Sequence, residues 1–347
     1  HRASNRPQKK YKKNNDGTYA KDAKGKRIET GVSTQVTAAL WRIPSDFRTG
    51  LSGTPVTNTP DKLWAILHWL YPKDFSSYWR HIHHYIEVEI TPQGYRKLLG
   101  PKNEAQLLSI IDPFFIRRLK KEVWKDLPDK YYSEIVVTLT PEQRKAYVDM
   151  KDTMISWLGD DLDMPLVSPV VISQLMRLQQ FSGAYARFGA DGKVRLTEPS
   201  SKVDALMDLL ATNEQLVVFS QFSQMIDLVE ARLKKAGITY GRLTGDVPQA
   251  FRTKIVNDFQ AGKIQVFIGT IAAGGVGITL TSASRVVFLD RSWSPAANDQ
   301  AEDRLHRIGQ KNSVQVIDIM AAGTVNYDRQ KKIEIKAGWL RKLLGDE

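Results

Sequence analysis

The sequence predicts an α/β fold built on a parallel β-sheet that is covered by helices on both faces. From Ser201 onward, short apolar strands alternate with amphipathic helices, and the connections between them are short. Such alternation is typical of strands joined by crossover helices. The chain has 347 residues, of which 42% are hydrophobic and 25% are charged. This composition is globular, and the length suggests two domains.

The strands of the second half are short apolar runs rich in β-branched residues. We predict them at residues 216–219, 240–243, 266–268, 285–289 and 314–320, with helices at 203–210, 225–236 and 253–260. In open parallel sheets, ligands bind beyond the carboxyl ends of the strands. The loops after Phe219, Ile268 and Leu289 are therefore expected to carry the chemistry.

The first half is predicted to be mainly helical. Apolar residues at helical spacing favour helices over 61–71, 75–86, 107–115 and 141–150. A short strand within residues 38–47 is expected to end in the small-residue loop 48–55, and a β-branched strand is expected at 134–139. Residues 151–198 are expected to form a protruding helical region that ends in a glycine-rich turn at 189–192.

The positive charge is concentrated at the start of the chain. The net charge is +12, and residues 1–27 hold ten Lys and Arg against two Asp, a net +8. This stretch has few aliphatic side chains, which favours a solvated loop or arm. It is either an ordinary charge run or a contact with the phosphate backbone of a nucleic acid, whose strength would fade with salt.

Several classes of site are excluded or disfavoured by composition. The chain has no cysteine, which excludes disulfides, thiolate nucleophiles and cysteine-based zinc sites. It has no apolar run of about 18 residues, so neither a membrane span nor a signal peptide is predicted. His81, His83 and His84 lack further ligands at a recognisable spacing, and no metal site is predicted in this chain.

Two strings in the second half stand out. A glycine-rich run covers residues 269–280, where glycines allow a close approach of the backbone to a phosphate. Farther on, Arg304 and Arg307 are three residues apart. On a helix they would share a face and could converge on one phosphate group.

These strings belong to a set that resembles the Swi/Snf-type branch of the superfamily-two helicase-like ATPases. Leu-Ser-Gly-Thr-Pro at 51–55 resembles motif III, Val-Phe-Ser-Gln-Phe at 218–222 motif IV, and residues 270–280 motif V. The string at 300–310, Gln-Ala-x-x-Arg-x-x-Arg-x-Gly-Gln, resembles motif VI. The order and spacing agree with the family, and the likeness covers practically the whole chain.

The resemblance implies two RecA-like lobes that clamp ATP and step along one strand of duplex DNA. The chain would then hold a RecA-like parallel-sheet lobe of the helicase C-terminal type, the C-terminal part of a first RecA-like lobe, and helical protrusions. The implied domains are the end of the first lobe (1–60, with a basic insertion at 7–27), a helical protrusion and inter-lobe connector (61–132), the start of the second lobe with its protrusion (133–200), the second lobe (201–326) and a closing basic helix (327–347).

The resemblance also implies roles for individual residues. Arg304 and Arg307 would be arginine fingers that stabilise charge on the γ-phosphate, and Gln300 would order the nucleotide or the attacking water. The residues implied to couple nucleotide state to lobe closure are Ser52, Gly53, Thr54, Gly275, Gly277 and Asp303. Those implied to contact DNA, mostly at its phosphates, are Ser220, Gln221, Thr270, Gly274, Thr281, Trp293, Arg117 and Arg118.

The sequence departs from the family pattern at its start. His1-Arg2 resembles the tail of the Asp-Glu-x-His-Arg box, and none of the three Gly-Lys pairs, at 25–26, 192–193 and 262–263, has the spacing of a P-loop. ATP and Mg²⁺ are the expected cofactors, with ligands in a missing N-terminal segment that is supplied in cis or in trans. The isolated chain is therefore expected to be inactive.

Three interpretations of function remain open at this point. The first is the C-terminal part of an ATP-dependent translocase of double-stranded DNA, located in a nucleus, or in the cytoplasm or nucleoid of a bacterial or phage system. The second is a non-catalytic DNA-binding or interaction module with the same fold. The third is a split-translocase subunit that needs a partner chain.

Overall fold

The computed structural model of the chain describes residues 9–11, 29–32, 35–52, 61–90, 96–116, 118, 120–158, 169–274 and 277–325. It divides into two compact units, with the boundary between Ile116 and Arg117. The basic insertion predicted at 7–27 lies outside the described residues except for 9–11, and so does the closing helix predicted at 327–347. The finer domain boundaries stay predictions.

The first unit is mainly helical with two small antiparallel strand pairs. Its elements are β1 (Lys9–Tyr11), β2 (Glu29–Val32), α1 (Gln35–Arg42), α2 (Asp61–Leu70), α3 (Tyr78–Tyr85), β3 (Ile86–Ile90), β4 (Arg96–Pro101) and α4 (Glu104–Ile111). β1 pairs with β2, and β3 pairs with β4. The strand expected within 38–47 is wrong, because those residues begin in helix α1. Pro44 disfavours helical geometry at the residue before it, which is consistent with the helix ending at Arg42.

The core of the first unit is built around aromatic rings. Trp64, on α2, is 4% exposed. Its ring stacks on His68 at 4.8 Å and meets Trp41 edge-on at 5.7 Å. Tyr78 packs against the same ring at 5.3 Å. This contact between Trp41 and Trp64 packs α1 against α2 and stabilises it there.

The second unit contains the predicted parallel sheet. Its elements are α5 (Lys120–Val123), β5 (Lys130–Val137), α6 (Pro141–Leu158), α7 (Pro169–Phe181), β6 (Tyr185–Phe188), β7 (Val194–Thr197), α8 (Ser201–Leu209), β8 (Leu216–Ser220), α9 (Ser223–Ala236), β9 (Tyr240–Leu243), α10 (Gln249–Gln260), β10 (Val266–Thr270), α11 (Ile271–Gly274), β11 (Arg285–Phe288), α12 (Pro295–Glu302) and β12 (Val314–Ala321). The six-stranded sheet has the order β5-β12-β11-β8-β10-β9, and every pairing in it is parallel. The predicted fold class is confirmed.

The region predicted as helical at 151–198 is only partly so. It ends in an antiparallel hairpin, β6 with β7, which the sequence analysis missed. Ala186 and Leu196 face each other and are buried, while Arg187 and Arg195 face each other and are exposed. This alternation with a period of two is the strand signal, and the hairpin turn uses Gly192 at φ 70°.

The centre of the sheet is buried on both faces, and all five residues of its central strand β8 are buried. Val218 packs in a core with helices α8 and α9, whereas Val217 and Phe219 pack in a second core that contains Phe259 of α10 and Ala301 of α12. The strands are parallel, so their carboxyl ends form one edge of the sheet and their amino ends form the opposite edge. Some candidate site residues lie at the carboxyl edge and others lie at the amino edge.

Candidate nucleotide and nucleic-acid site

The carboxyl edge is organised by Asp290, which follows β11. Its carboxylate accepts hydrogen bonds from the Ser220 hydroxyl at 2.5 Å and from the Gln221 backbone N–H at 2.6 Å. Ser220 is fully buried and its hydroxyl also accepts from the Phe222 N–H at 3.0 Å. The Ser220 hydroxyl thus stabilises the loop after β8. The contact of Ser220 with DNA stays a prediction. Gln221, beside it, is half-buried.

The loop after β11 is fixed from beneath by buried side chains. The Lys202 ammonium is fully buried and donates to the Leu289 carbonyl at 2.5 Å. Gln179 donates to the Arg291 carbonyl at 2.9 Å. Trp293 is half-buried in this loop, which Asn298 closes by reciprocal hydrogen bonds to the backbone of Ser292 at 2.8 and 3.0 Å. Sequence reasoning missed these supports, although a lysine and glutamines in apolar helices were a usable signal.

The glycine-rich segment starts at the same edge. Thr270 ends β10 in register with Ser220 and is half-buried. A Cβ on Gly274 would stand 2.4 Å from the Phe219 ring, so packing demands glycine there whatever its role toward DNA. Gly277 has φ 71°, which also favours glycine, whereas Gly275 lies outside the described residues.

Arg304 and Arg307 lie on a turn rather than on a helix. Helix α12 ends at Glu302, so the predicted helical face is wrong. Residues 303–310, the arginine turn, nevertheless bring the two guanidinium groups together. The Nη1 atoms of Arg304 and Arg307 lie 3.5 and 3.3 Å from the Ile278 carbonyl oxygen, and both donate to it. The Leu280 N–H donates to the Arg304 carbonyl at 2.9 Å, which fixes the turn to the glycine-rich segment.

The arginine pair concentrates positive charge around one oxygen. Burial lowers the pKa of Arg304 below its ordinary value, and the neighbouring Arg307 lowers it further, while Asp303 opposes both effects. Each guanidinium has five N–H donors and no acceptor. Two such groups beside one carbonyl oxygen form a site suited to a multiply charged oxyanion.

The arginine turn lies at the amino edge of the sheet. It leads into the amino end of β12, and Gln310 donates to the carbonyl of Ala283, just before β11, at 2.8 Å. Thr281, also before β11, accepts a hydrogen bond from Gln260 at 3.1 Å. The expectation that the chemistry lies beyond the carboxyl ends is therefore wrong for the arginine pair. A five-residue strand spans about 16 Å, which separates the two groups of residues.

The other residues predicted to act on nucleotide or DNA lie at several places in the two units. Gln300 is half-buried on α12, and Asp303 forms an ion pair with Lys120 at 2.6 Å. Ser52, in the first unit, and Arg118, in the second, are exposed. The remaining three, Gly53, Thr54 and Arg117, lie outside the described residues.

A buried ionic network supports α12 from the sheet, and sequence reasoning did not find it. Arg291 donates to both carboxylate oxygens of Asp318, at 2.6 and 2.8 Å, and to Glu302 at 2.7 Å. Lys130 and Tyr132 donate to the other oxygen of Glu302, at 3.0 and 2.9 Å. Burial alone would raise the pKa of Glu302, but the attraction of Lys130 and Arg291 outweighs it and holds that pKa below its usual range.

Within the described part of the chain, no three or more His, Asp or Glu side chains are arranged to hold a metal ion. None of the helices there has the length and apolar character needed to cross a bilayer.

Comparison with known proteins connects this geometry to a family. The family model for the SNF2-related domain matches residues 17–182, and that for the helicase conserved C-terminal domain matches residues 201–309. Together these define a helicase-like domain with RecA-like architecture. The chain belongs to the SNF2-related family, the Swi/Snf-type branch of the superfamily-two ATPases.

Individual relatives and structures agree with this assignment. The transcription regulatory protein SNF2 of Saccharomyces cerevisiae is 29% identical over 81% of the chain and 18% of its own length. The putative ATP-dependent helicase/translocase YwqA of Bacillus subtilis is 30% identical over 87% of the chain and 32% of its own length. The SWI2/SNF2 ATPase core of Sulfolobus solfataricus, solved in complex with double-stranded DNA, is 28% identical with a TM-score of 0.51, and the match covers 90% of the chain and 66% of that core.

A second solved structure supports the fold alone. The C-terminal part of the Fun30 ATPase domain has a TM-score of 0.51 at 19% identity, and the match covers 64% of the chain and all of that structure. The chain spans about a fifth of the length of SNF2 and about a third of that of YwqA.

Proposed function

We propose that this chain is the C-terminal part of an ATP-dependent translocase of double-stranded DNA. In this proposal Arg304 and Arg307 are the arginine fingers that stabilise the γ-phosphate during transfer. The loops at the carboxyl edge contact DNA phosphates. A protein that acts on duplex DNA would be found with it, in a nucleus or, in a bacterial or phage system, in the cytoplasm or nucleoid.

The convergence of two guanidinium groups on the Ile278 carbonyl carries this proposal. Arg304 and Arg307 reach the same oxygen from the arginine turn. A phosphate oxygen presents the same acceptor with more negative charge, and it would attract both side chains more strongly than a carbonyl does. The arrangement thus fits a transferring phosphoryl group.

The glycine-rich segment runs from the carboxyl edge of the sheet to the arginine turn at the amino edge. It begins at Thr270, beside the loop that holds Gln221, and it reaches Ile278 and Leu280 at the arginine turn. DNA bound at the carboxyl edge would bear on one end of this segment, and nucleotide would bear on the other. The DNA complex of the Sulfolobus relative supports duplex DNA as the partner.

ATP fits the donors present, and Mg²⁺ needs ligands from elsewhere. The arginine pair offers donors to a terminal phosphate, but the sequence holds no P-loop. Mg²⁺ would be held by the nucleotide phosphates and by acidic residues of a first-lobe segment. Within this chain, the proposed work of the site is to orient and neutralise the phosphoryl group.

The test is ATP hydrolysis by this chain with and without duplex DNA, alone and after mixing with a polypeptide that carries a P-loop and an acidic box. Arg304→Ala and Arg307→Ala are expected to lower turnover by about a thousandfold while leaving DNA affinity nearly unchanged. Arg195→Ala is the matched control, because Arg195 is an exposed arginine paired with Asp191 in the same unit.

The outcomes separate the interpretations. Hydrolysis that needs the mixture and DNA, and that falls by about a thousandfold in both finger variants, supports the proposal. Unchanged turnover in both variants would overturn the finger assignment. Duplex binding without hydrolysis in any mixture would favour a non-catalytic module.

A further inference from the structure

The segment that precedes β5 is tied to the arginine turn by polar contacts. We name residues 120–129 the connector. The Lys120 ammonium pairs with the Asp303 carboxylate at 2.6 Å and donates to the His306 carbonyl at 3.1 Å. The His306 Nε2 atom lies 2.6 Å from the Pro128 carbonyl oxygen. These contacts bring together residues that are more than 170 positions apart in sequence.

The contacts lie immediately before each arginine of the turn. Asp303 immediately precedes Arg304, and His306 immediately precedes Arg307. Lys120 therefore holds the chain just before each arginine, by a side chain in one case and a carbonyl in the other. Because the turn is not helical, its internal hydrogen bonds alone fix it less firmly than a helix would, and contacts from outside matter more.

The ring of His306 is fixed in one tautomer. A carbonyl can only accept, so Nε2 must carry the proton that is donated to Pro128. Nδ1 is buried and has no hydrogen-bond partner among the residues that the structure describes. A second proton on this ring would thus sit on a buried nitrogen without an acceptor.

Charges around the ring act in the same direction as burial. Burial lowers the pKa of His306, the hydrogen bond to Pro128 opposes this effect, Lys130 of β5 and Lys120 of α5 lower the pKa further, and Asp303 in the turn raises it. The net effect is a pKa below the ordinary value. The neutral ring is therefore the form that this surrounding favours, and a proton added in acid would disfavour the buried position of the ring.

A cleft lies between the connector and the arginine turn. It has a volume of about 430 Å³ and is lined on one side by Trp124 and Leu127 of the connector and on the other by Ile308 of the arginine turn. Ile308 is 65% exposed. The polar contacts of Lys120 and His306 are thus the points at which a displaced connector would pull on the turn.

We propose that Lys120 and His306 are positioning residues through which the connector sets the orientation of the two arginine fingers. The proposal rests on the proposed function, and it adds a regulatory input to the same site. A connector held against the turn keeps Arg304 and Arg307 directed at the phosphate. A displaced connector releases them.

The first experiment uses this chain alone and needs no hydrolysis. NMR would follow the imidazole of His306 and the guanidinium Nε–H signals of Arg304 and Arg307 from pH 8 to pH 5. We expect both arginine signals to shift with the titration of His306 in the native chain, and to stay constant in His306→Gln, whose amide keeps a donor near Nε2 but does not titrate.

The second experiment measures turnover in the mixture that carries the P-loop segment. His306→Leu and Lys120→Met are expected to lower kcat by about tenfold or more with the KM for ATP nearly unchanged, since they misdirect the fingers without touching the nucleotide. The kcat of the native chain should fall toward low pH as His306 gains a proton, whereas His306→Gln should retain most activity without that fall. Lys125→Met, at an exposed lysine of the same connector, is the control and should behave like the native chain.

The two experiments can fail separately. Arginine signals that ignore the titration of His306, or a native pH profile in His306→Gln, would overturn the positioning role even if the enzyme is active. Finger variants with normal turnover would overturn the proposed function, whatever the NMR experiment shows.

Discussion

The two units bury ionisable side chains in opposite ways. In the first unit, His81 is 4% exposed, and neither ring nitrogen has a hydrogen-bond partner within the described residues. In the second unit, Arg291, Glu302 and Asp318 are buried as a fully charged and hydrogen-bonded group. Burial keeps the His81 ring neutral, whereas the side chains around Arg291 stay charged and compensate one another. Acid should therefore affect the first unit before it affects this network.

Removal of the central cation should cause the largest loss of stability. Arg291→Ala would leave Glu302 without one of its two cationic partners and Asp318 without its bidentate arginine. Breaking a buried ion pair costs about 3–5 kcal/mol because a charge is left without compensation. Urea unfolding followed by hydrogen exchange in β11 and β12 measures this loss.

The matched control for that variant is Arg195→Ala. Arg195 also lies 2.9 Å from a carboxylate, Asp191, but both side chains are well exposed. The loss of stability in Arg195→Ala is expected to be below about 1 kcal/mol. Equal effects of the two substitutions would contradict the distinction between buried and exposed pairs.

Acid should destabilise the first unit through His81. Burial lowers the pKa of His81 from 6.5 to about 4, an effect that Asp61 opposes and His84 reinforces. The unfolded chain then binds the proton more tightly, so stability falls as the pH drops from about 6.5 to about 4 and the loss is complete below that. At about 1.4 kcal/mol per pKa unit, the loss is at most about 3 kcal/mol.

His81→Leu tests this prediction. The variant should keep the apolar packing against Phe75 and Tyr85 and should flatten the pH dependence of hydrogen exchange in α3. His83→Leu, at an exposed histidine on the same helix, is the control and should retain the native pH dependence. An equal acid response in native protein and His81→Leu would show that another group is responsible.

A smaller effect is expected from a methyl group at the edge of the sheet. In Gly274→Ala, the new Cβ would stand 2.4 Å from the fully buried ring of Phe219, so the ring or α11 must shift. Such overpacking costs about 1–3 kcal/mol. Gly245→Ala, where a Cβ meets no atom within 4 Å, is the control for thermal unfolding of the two variants. A stable Gly274→Ala would mean that α11 gives way freely.

The smallest difference concerns two helix caps, one in each unit. Ser200 caps α8 by accepting from Val203 at 3.2 Å, and its buried hydroxyl also donates to the Gly183 carbonyl at 2.8 Å. Ser77 caps α3 by accepting from Arg80 at 3.3 Å and is exposed. We expect Ser200→Ala to cost about 1–2 kcal/mol and Ser77→Ala about 0.5 kcal/mol. The reverse order in chemical denaturation would refute this comparison.

The sheet could be predicted from sequence because its strands have a local signal. The all-buried run at β8 and the helices on either side repeat a pattern that a single segment reveals. The arginine pair could be found from its spacing, but its geometry could not. Helix α12 ends at Glu302, and a turn brings the two guanidinium groups together. That turn is fixed by a hydrogen bond from Leu280, which is distant in sequence.

The ionic network and the connector contacts could not be predicted either, because their partners are far apart in sequence. Lys130 and Glu302 are 172 residues apart, and nothing in either local sequence indicates the partner. The strand predicted within residues 38–47 was wrong for a related reason, because Trp41 packs against a ring in α2 and this contact stabilises the helix α1. Such contacts between distant segments override local preference.

The buried ammonium of Lys202 also has a chemical consequence. An amine-modifying reagent reacts readily with an exposed lysine such as Lys193, whose side chain is 79% exposed. It cannot reach Lys202, which is fully buried against the Leu289 carbonyl, until α8 separates from the sheet. The rate at which Lys202 is labelled in the native protein would therefore report how often this part of the second unit opens.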